Sequence, residues 1–226
     1  MRLALVVAVS ACGRVNFDVD VDDGLIAHWP METIEQGVVT DVVGNADGRC
    51  TTCPVLVEGV RGGALQFDGT STIVTMASTP VIEGLSTYSI SMWVRPELPQ
   101  AGVDCMFTKV NAEDGNTWEF CTDDGQLFYS SWDGIDNRNQ RTLVSLPDVW
   151  SHLFLRWDGT TETLALDGVM IGSAQWPKTS DGGQLVVGAD VNFNNPTALF
   201  RGAIDDVRIY DRVLSDAAIA LVATAD

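Results

Sequence analysis

Hydrophobic and polar positions alternate with a period of two through much of this chain. In residues 88–96, Tyr88, Ile90, Met92 and Val94 fall on one face; Ser89, Ser91, Trp93 and Arg95 fall on the other. In residues 151–157, Leu153, Leu155 and Trp157 oppose His152, Phe154 and Arg156. A period of two marks a strand, because successive side chains point to opposite faces of a sheet. The pairs Asp68-Gly69, Asp114-Gly115, Asp124-Gly125, Asp133-Gly134, Asp158-Gly159 and Asp167-Gly168 punctuate these runs as tight hairpins require. One stretch changes period. Residues 200–210 alternate, with Ala203, Asp205, Val207 and Ile209 on one side and Ile204, Asp206, Arg208 and Tyr210 on the other. Residues 215–222 then take helical spacing, with Ser215 as N-cap, Asp216 in the first turn, and Ile219, Leu221 and Val222 inward. The pattern predicts an all-β, many-stranded antiparallel sandwich that ends in one short helix.

Composition agrees with this. The chain has 226 residues, 46% hydrophobic, with 21 glycines and 8 prolines, enough for one substantial core and many turns. Neither an internal repeat nor an interdomain linker interrupts it. Against 13 Lys+Arg stand 31 Asp+Glu, a net charge of −18. Such a surface repels nucleic acid and anionic lipid, so a nucleic-acid partner is not expected. The acids keep the chain soluble, and clustered hard oxygens also suit calcium. Asp18-x-Asp20-x-Asp22 fails as an EF-hand loop, since Gly24 comes one place late and Trp29 holds the twelfth position.

The opening run Met1-Arg-Leu-Ala-Leu-Val-Val-Ala-Val-Ser-Ala-Cys12-Gly13 resembles a bacterial lipoprotein signal ending in a lipobox. It is far too short to span a membrane as a helix. The resemblance implies a signal peptide over residues 1–11, acylation of Cys12, an acidic tether over residues 12–23, and membrane contact by lipid anchor only. Gly13 in place of Asp implies an outer-membrane or cell-surface location.

Further along, Leu25-Ile-Ala-His-Trp-Pro30, the loop Asp41–Gly48, Gly62-Gly-Ala-Leu-Gln-Phe-Asp-Gly69, Tyr88–Pro96, Trp150–Gly159, Leu164–Gly168 and Gly202-Ala-Ile-Asp-Asp-Val-Arg-Ile-Tyr210 follow one another in order. Together they resemble the LamG-like, concanavalin A-type domains over residues 24–222. That likeness implies a two-sheet antiparallel jelly-roll sandwich over residues 24–226 with one short C-terminal helix. It also implies a structural calcium held by Asp205, with Asp41 and Asn45 from the early loop. Strand parity puts Asp205 on the apolar side, where a carboxylate needs either a cation or donors such as an arginine.

Catalysis has no motif behind it. Hydrolases of this fold carry E-x-D-x-x-E on one strand, and none of Glu32, Glu35, Glu58, Glu83, Glu97, Glu113, Glu119 or Glu162 begins it. No G-x-S-x-G, P-loop or dinucleotide fingerprint is present. His28 and His152 stand alone in strands, and Asp123-Asp124 is a carboxylate pair outside any motif. Sugar contacts need aromatic platforms beside planar polar groups. Trp118 and Trp132 adjoin polar hairpins, and Asp136, Asn137 and Arg138 follow Trp132. With Cys12 set aside, four cysteines allow three connectivities. Cys105 and Cys121 sit equidistant from a Gly-containing hairpin, and Cys50-Thr-Thr-Cys53 has neither the βαβ context nor the second C-x-x-C of a redox or zinc site. The expected pairs are Cys105–Cys121 and Cys50–Cys53. The expected function is a non-catalytic, surface-anchored module that binds polysaccharide or glycoprotein. The alternatives are an adhesion lipoprotein contacting protein through its loops and, behind that, a glycoside hydrolase.

Overall fold

The alternating segments build two antiparallel sheets whose apolar faces meet. This computed structural model describes residues 20–110, 116–132, 137–175, 182–192 and 195–224, and the side chains of 131–141 are not described. Cys12 and the proposed signal lie outside the described residues. The first sheet runs Val169–Gln175, Thr161–Leu166, Ser151–Trp157, Tyr88–Pro96, Arg201–Tyr210, Gly63–Asp68 and Val55–Glu58, with Leu25–Trp29 also paired to Arg201–Tyr210. The second runs Asn137–Ser145, Gln126–Trp132, Asn116–Asp123, Val103–Val110, Leu185–Val187, Val74–Met76, Gly48–Arg49 and Val38–Val39. Ile90, Met92, Val94, Leu153 and Leu155 of the first sheet pack against Phe107, Trp118, Phe120, Leu127 and Val187 of the second. Among the described residues no helix is long and apolar enough to cross a membrane.

Two of the aspartate–glycine pairs form the expected two-residue hairpins. Asp124 and Gly125 have φ of 50° and 80°, Asp167 and Gly168 49° and 77°, as a type I′ turn demands. Asp68 and Asp158 act differently: each side chain accepts N–H groups from the residues that follow, Thr70 and Ser71 in one case, Thr160 and Thr161 in the other. Asp114-Gly115 and Asp133-Gly134 lie outside the described residues.

The terminal strand departs from simple alternation. Leu25–Trp29 pairs with its second half and Gly63–Asp68 with its first, so two short strands share one long edge. Between them the register slips: Asp205 stands opposite Trp93, yet Arg208 stands opposite Ser91. The extra residue is a β-bulge, and Asp206 takes the positive φ of 51° that such a bulge requires. Parity therefore reverses at the bulge. Ile204, Val207 and Ile209 all enter the core, whereas Asp205 shares the outer face with Trp93. This corrects the expected grouping of Asp205 with Val207 and Ile209.

The outer face of the first sheet is covered by the ending of the chain. Asp216–Val222 is the predicted helix, and the Ser215 hydroxyl accepts from the Ala218 N–H at 3.2 Å. Leu214, Ala218, Ile219 and Val222 pack on Phe154, Ala165 and Tyr210, while Leu221 points outward and is 48% exposed. Ser89 receives the Leu214 N–H and donates to the Arg212 carbonyl, which ties the entry to the helix onto the sheet. His152 is buried against Ser91 and the edge of Trp93, and loss of solvent pushes its pKa down to about 4. It is a neutral structural group.

Candidate ligand-binding site

The three residues expected to hold calcium are used separately. Asp41 folds its own loop: Oδ1 accepts the N–H groups of His28, Val43 and Gly44, and Oδ2 that of Ala46. Asn45 is exposed beside it. Asp205 instead holds the turn before Gly63–Asp68, its Oδ2 accepting from Val60 at 2.8 Å and Arg61 at 3.0 Å. Burial, with Asp206 and Glu32 nearby, pushes its pKa up to about 6 despite those two donors. Asp41 spends both oxygens on its own loop, whereas Asp205 gives only Oδ2 to the Val60–Arg61 turn and its buried Oδ1 has no hydrogen-bond partner among the described residues. Cys105, Glu119 and Cys121 bring ligand atoms within 4.8 Å of one another. The two sulfurs are joined in a disulfide, however, and a thiolate rather than a disulfide sulfur is the metal ligand.

Asp206 is the charge centre of the outer face. It pairs with His28 Nε2 at 2.7 Å, with Arg208 Nε at 2.9 Å and with Arg61 Nη1. Arg61 also donates to the Val222 and Thr224 carbonyls at the end of the helix. Although burial opposes it, the His28, Arg208 and Arg61 contacts hold Asp206 down at about 2.

The second sheet offers a different surface. Arg49 lies opposite Thr75, Thr75 opposite Val186, Val186 opposite Thr108, and Thr108 opposite Glu119. Glu119 lies opposite Ser130, and Ser130 opposite Asn139. One cross-strand row thus runs over the outward face, because Trp118 and Phe120 on either side of Glu119 are in the core. The loop from Gly188 to Phe200 crosses its middle. Thr108 donates to the Ala189 carbonyl, Cys105 N–H donates to Ala198, and Ala189 and Val191 pack on Val186 and Val110. Only glycine fits at 188: a Cβ there would lie 2.3 Å from the Phe67 ring. The loop leaves two polar areas, one on each side.

On the far side, Glu119 receives the Ser130 hydroxyl and packs on the Cys105–Cys121 disulfide. Burial, reinforced by Asp190 and opposed by an Asn116 hydrogen bond, pushes Glu119 up from 4.5 to about 7. Asp190 is buried, accepting from Val191 N–H at 2.7 Å and from the Asn192 amide at 2.9 Å. The folded state therefore keeps a proton on Glu119 that the unfolded chain has already released between about pH 4.5 and 7. Stability contributed through this group falls as pH rises across that window and is level above it. Glu119→Gln should stabilise the domain by roughly 1–3 kcal/mol at pH 8 and hardly at all at pH 4. Urea denaturation at both values checks this; an equal change at both would show that the carboxylate is not perturbed.

The sequence candidates for sugar contact separate here. Trp118 is 2% exposed, with Tyr88 at 5.0 Å and Phe107 at 6.5 Å between ring centres, so it is a core residue and no platform. Backbone pairing sets Trp132 opposite Asn137 and Ser131 opposite Arg138, at the hairpin end two residues beyond the Ser130–Asn139 pair. Asp136 lies outside the described residues. Both disulfides are those expected, Cys105–Cys121 and Cys50–Cys53. Sequence reading missed Glu119, Ser130 and Arg49, because nothing in their local patterns marks residues so far apart as one row.

No curated protein matches the sequence. Among solved structures, the binding domain of Paraclostridial Mosquitocidal Protein 1 superposes with a TM-score of 0.73 at 18% identity, covering 90% of this chain and 52% of that one. The botulinum neurotoxin serotype D binding domain gives 0.69 at 14% identity, covering 89% and 52%. This chain thus spans about half the length of those toxin domains. Domain 4 of AbnA, a GH43 extracellular arabinanase from Geobacillus stearothermophilus solved with arabinotriose, gives 0.68 at 22% identity, covering 88% and 98%. These likenesses show a shared jelly-roll fold. The model of one protein family matches residues 68–220, which is most of the sandwich, and by that match the chain belongs to the concanavalin A-like lectin/glucanase superfamily.

Proposed function

We propose that this chain is a non-catalytic module that binds polysaccharide or glycoprotein, held at a bacterial outer membrane or cell surface through Cys12. The observation that carries the binding reading is the Glu119–Ser130–Asn139 row ending at the Trp132–Asn137 pair. Ser130 is buried and donates to Glu119, so sugar contact falls to the hairpin end beyond them, where the sequence supplies an indole and an amide on paired backbone positions. Similarity of fold to toxin binding domains and to a domain solved with arabinotriose supports the same reading. The non-catalytic reading is supported by the sequence, in which no glutamate begins the E-x-D-x-x-E run of hydrolases with this fold.

A glycan array tests the binding. The wild type should retain a defined glycan class that Trp132→Ala loses. A labelled fatty acid should mark the full-length wild type and not Cys12→Ala; equal labelling would remove the anchor from the reading. Glucan hydrolysis abolished by Glu119→Gln would replace the module with an enzyme. One observation favours the adhesion alternative: Val42, Val43 and Val81 are 58%, 46% and 55% exposed around the early loop. A protein partner retained in the presence of free sugar, with no glycan bound, would decide for it.

A further inference from the structure

Across the loop from Glu119, the other end of the row opens into a cleft of about 490 Å³, within the usual range for small-ligand sites. Arg49 and Thr75 line it side by side from paired strands, and Gln36, Thr51, Thr52 and Ser71 complete its polar wall. Arg49 differs from the other described cations. Arg61, Arg156, Arg201, Arg208 and Arg212 have carboxylate partners, Arg95 lies 5.0 Å from the Trp150 ring, and Lys109 donates to Ser78 and Gly183. Among the described residues Arg49 has no ion pair, hydrogen bond or ring contact, in a chain carrying 31 acids. The Gln36, Thr51, Thr52 and Thr75 side chains likewise have no described hydrogen-bond partner, whereas Ser71 is turned to Asp68.

The rim is held in shape. Gln36 and Gly37 form a two-residue turn with φ of 53° and 79°, closed by the Glu35–Val38 hydrogen bonds of 3.0 and 2.9 Å. Positive φ is uncommon for glutamine, and such residues concentrate where a ligand is met. Cys50 N–H donates to the Gly37 carbonyl at 2.9 Å, and the Cys50–Cys53 disulfide fixes the opposite lip. A preformed rim lowers the ordering cost of binding.

We propose that this cleft is a binding subsite for an acidic sugar, its carboxylate or sulfate group held by the Arg49 guanidinium and its hydroxyls by Gln36, Thr51, Thr52 and Thr75. A planar guanidinium matches either anion through paired N–H donors. The net charge of −18 does not prevent this. At physiological salt, charges beyond a Debye length of about 8 Å are largely screened, while the Arg49 contact would be direct. The proposal deepens the glycan-binding reading by assigning a ligand class, and it rests on that reading.

Isothermal titration with three probes of matched length tests it: oligogalacturonate, a sulfated galactan oligosaccharide and a neutral galactan oligosaccharide. One or both acidic probes should bind at least about tenfold more tightly than the neutral one, and the carboxylated and sulfated arms separate the two anion sources. Arg49→Ala should lose about tenfold or more, the effect of one charge-assisted hydrogen bond, with Arg49→Lys between it and the wild type. Because Arg49 is exposed and unbonded, both variants should melt as the wild type does. Trp132→Ala should weaken acidic and neutral probes alike, so that the acidic preference persists. Equal affinity for acidic and neutral probes, or acidic binding unchanged in Arg49→Ala, overturns the subsite. Acidic binding weakened in Trp132→Ala but unchanged in Arg49→Ala overturns it while preserving the general reading; no binding of any probe overturns it outright.

Discussion

Replacing Asp206 with asparagine should cost the fold about 3–5 kcal/mol, the usual penalty for breaking a buried ion pair from one side. Asp206 is 3% exposed and faces three cationic or proton-binding groups, His28, Arg61 and Arg208. The substitution leaves two guanidinium groups, 19% and 13% exposed, around a neutral amide. Its effect spreads because Arg61 also holds the carbonyls at the end of the helix. For a domain of this size the melting temperature should fall by roughly 6–20 °C. Asp205→Asn should cost much less, since an amide oxygen can still accept from Val60 and Arg61 and the repulsion toward Asp206 and Glu32 is relieved. Chemical denaturation of the two variants decides the matter: equal losses, or a loss below about 1 kcal/mol at Asp206, would mean the network does not stabilise the fold. The pH sign follows from the lowered pKa. The Asp206 contribution is complete above about 3.8 and is lost as pH falls through about 2.

Removing the Cys105–Cys121 disulfide by paired alanine substitution should cost about 3 kcal/mol, from the loop-closure entropy restored to the unfolded chain. The sequence separation is 16, and both cysteines are fully buried beside Phe128 and Glu119. The Cys50–Cys53 pair spans a separation of only 3, so its removal should cost about 1.5–2 kcal/mol in the same treatment. Differential scanning calorimetry of the two double variants gives the comparison. If the short bridge proves the more costly, its role in shaping the Arg49 cleft outweighs chain entropy.

Features whose cause lies within a few residues are legible in the amino-acid sequence itself. Asp124-Gly125 and Asp167-Gly168 turn as they do because type I′ geometry needs positive φ at both places. Ser215 caps the helix because its hydroxyl reaches an N–H three residues on. Cys105 and Cys121 meet because they are symmetric about one hairpin. The alternation of residues 88–96 and 151–157 sorts core from surface, since both strands pair without a slip against each other.

Tertiary structure decided whatever depends on register between distant strands. Parity alone places Asp205 with the core, but two strands sharing one edge admit an extra residue at their junction, and the bulge turns that expectation over. Trp118 looks available because it follows a polar hairpin, yet its strand is central and its ring is enclosed by Tyr88 and Phe107. Asp41 and Asp205 were expected to share a cation; Asp41 spends both oxygens on its own loop, while Asp205 gives only Oδ2 to the Val60–Arg61 turn. Arg49 and Glu119 are 70 positions apart, and only the order of the strands sets them on one row, just as only the loop from Gly188 to Phe200 divides that row into two polar areas. A side chain's own strand tells which way it points; which residues it meets is fixed by pairings closed elsewhere in the chain.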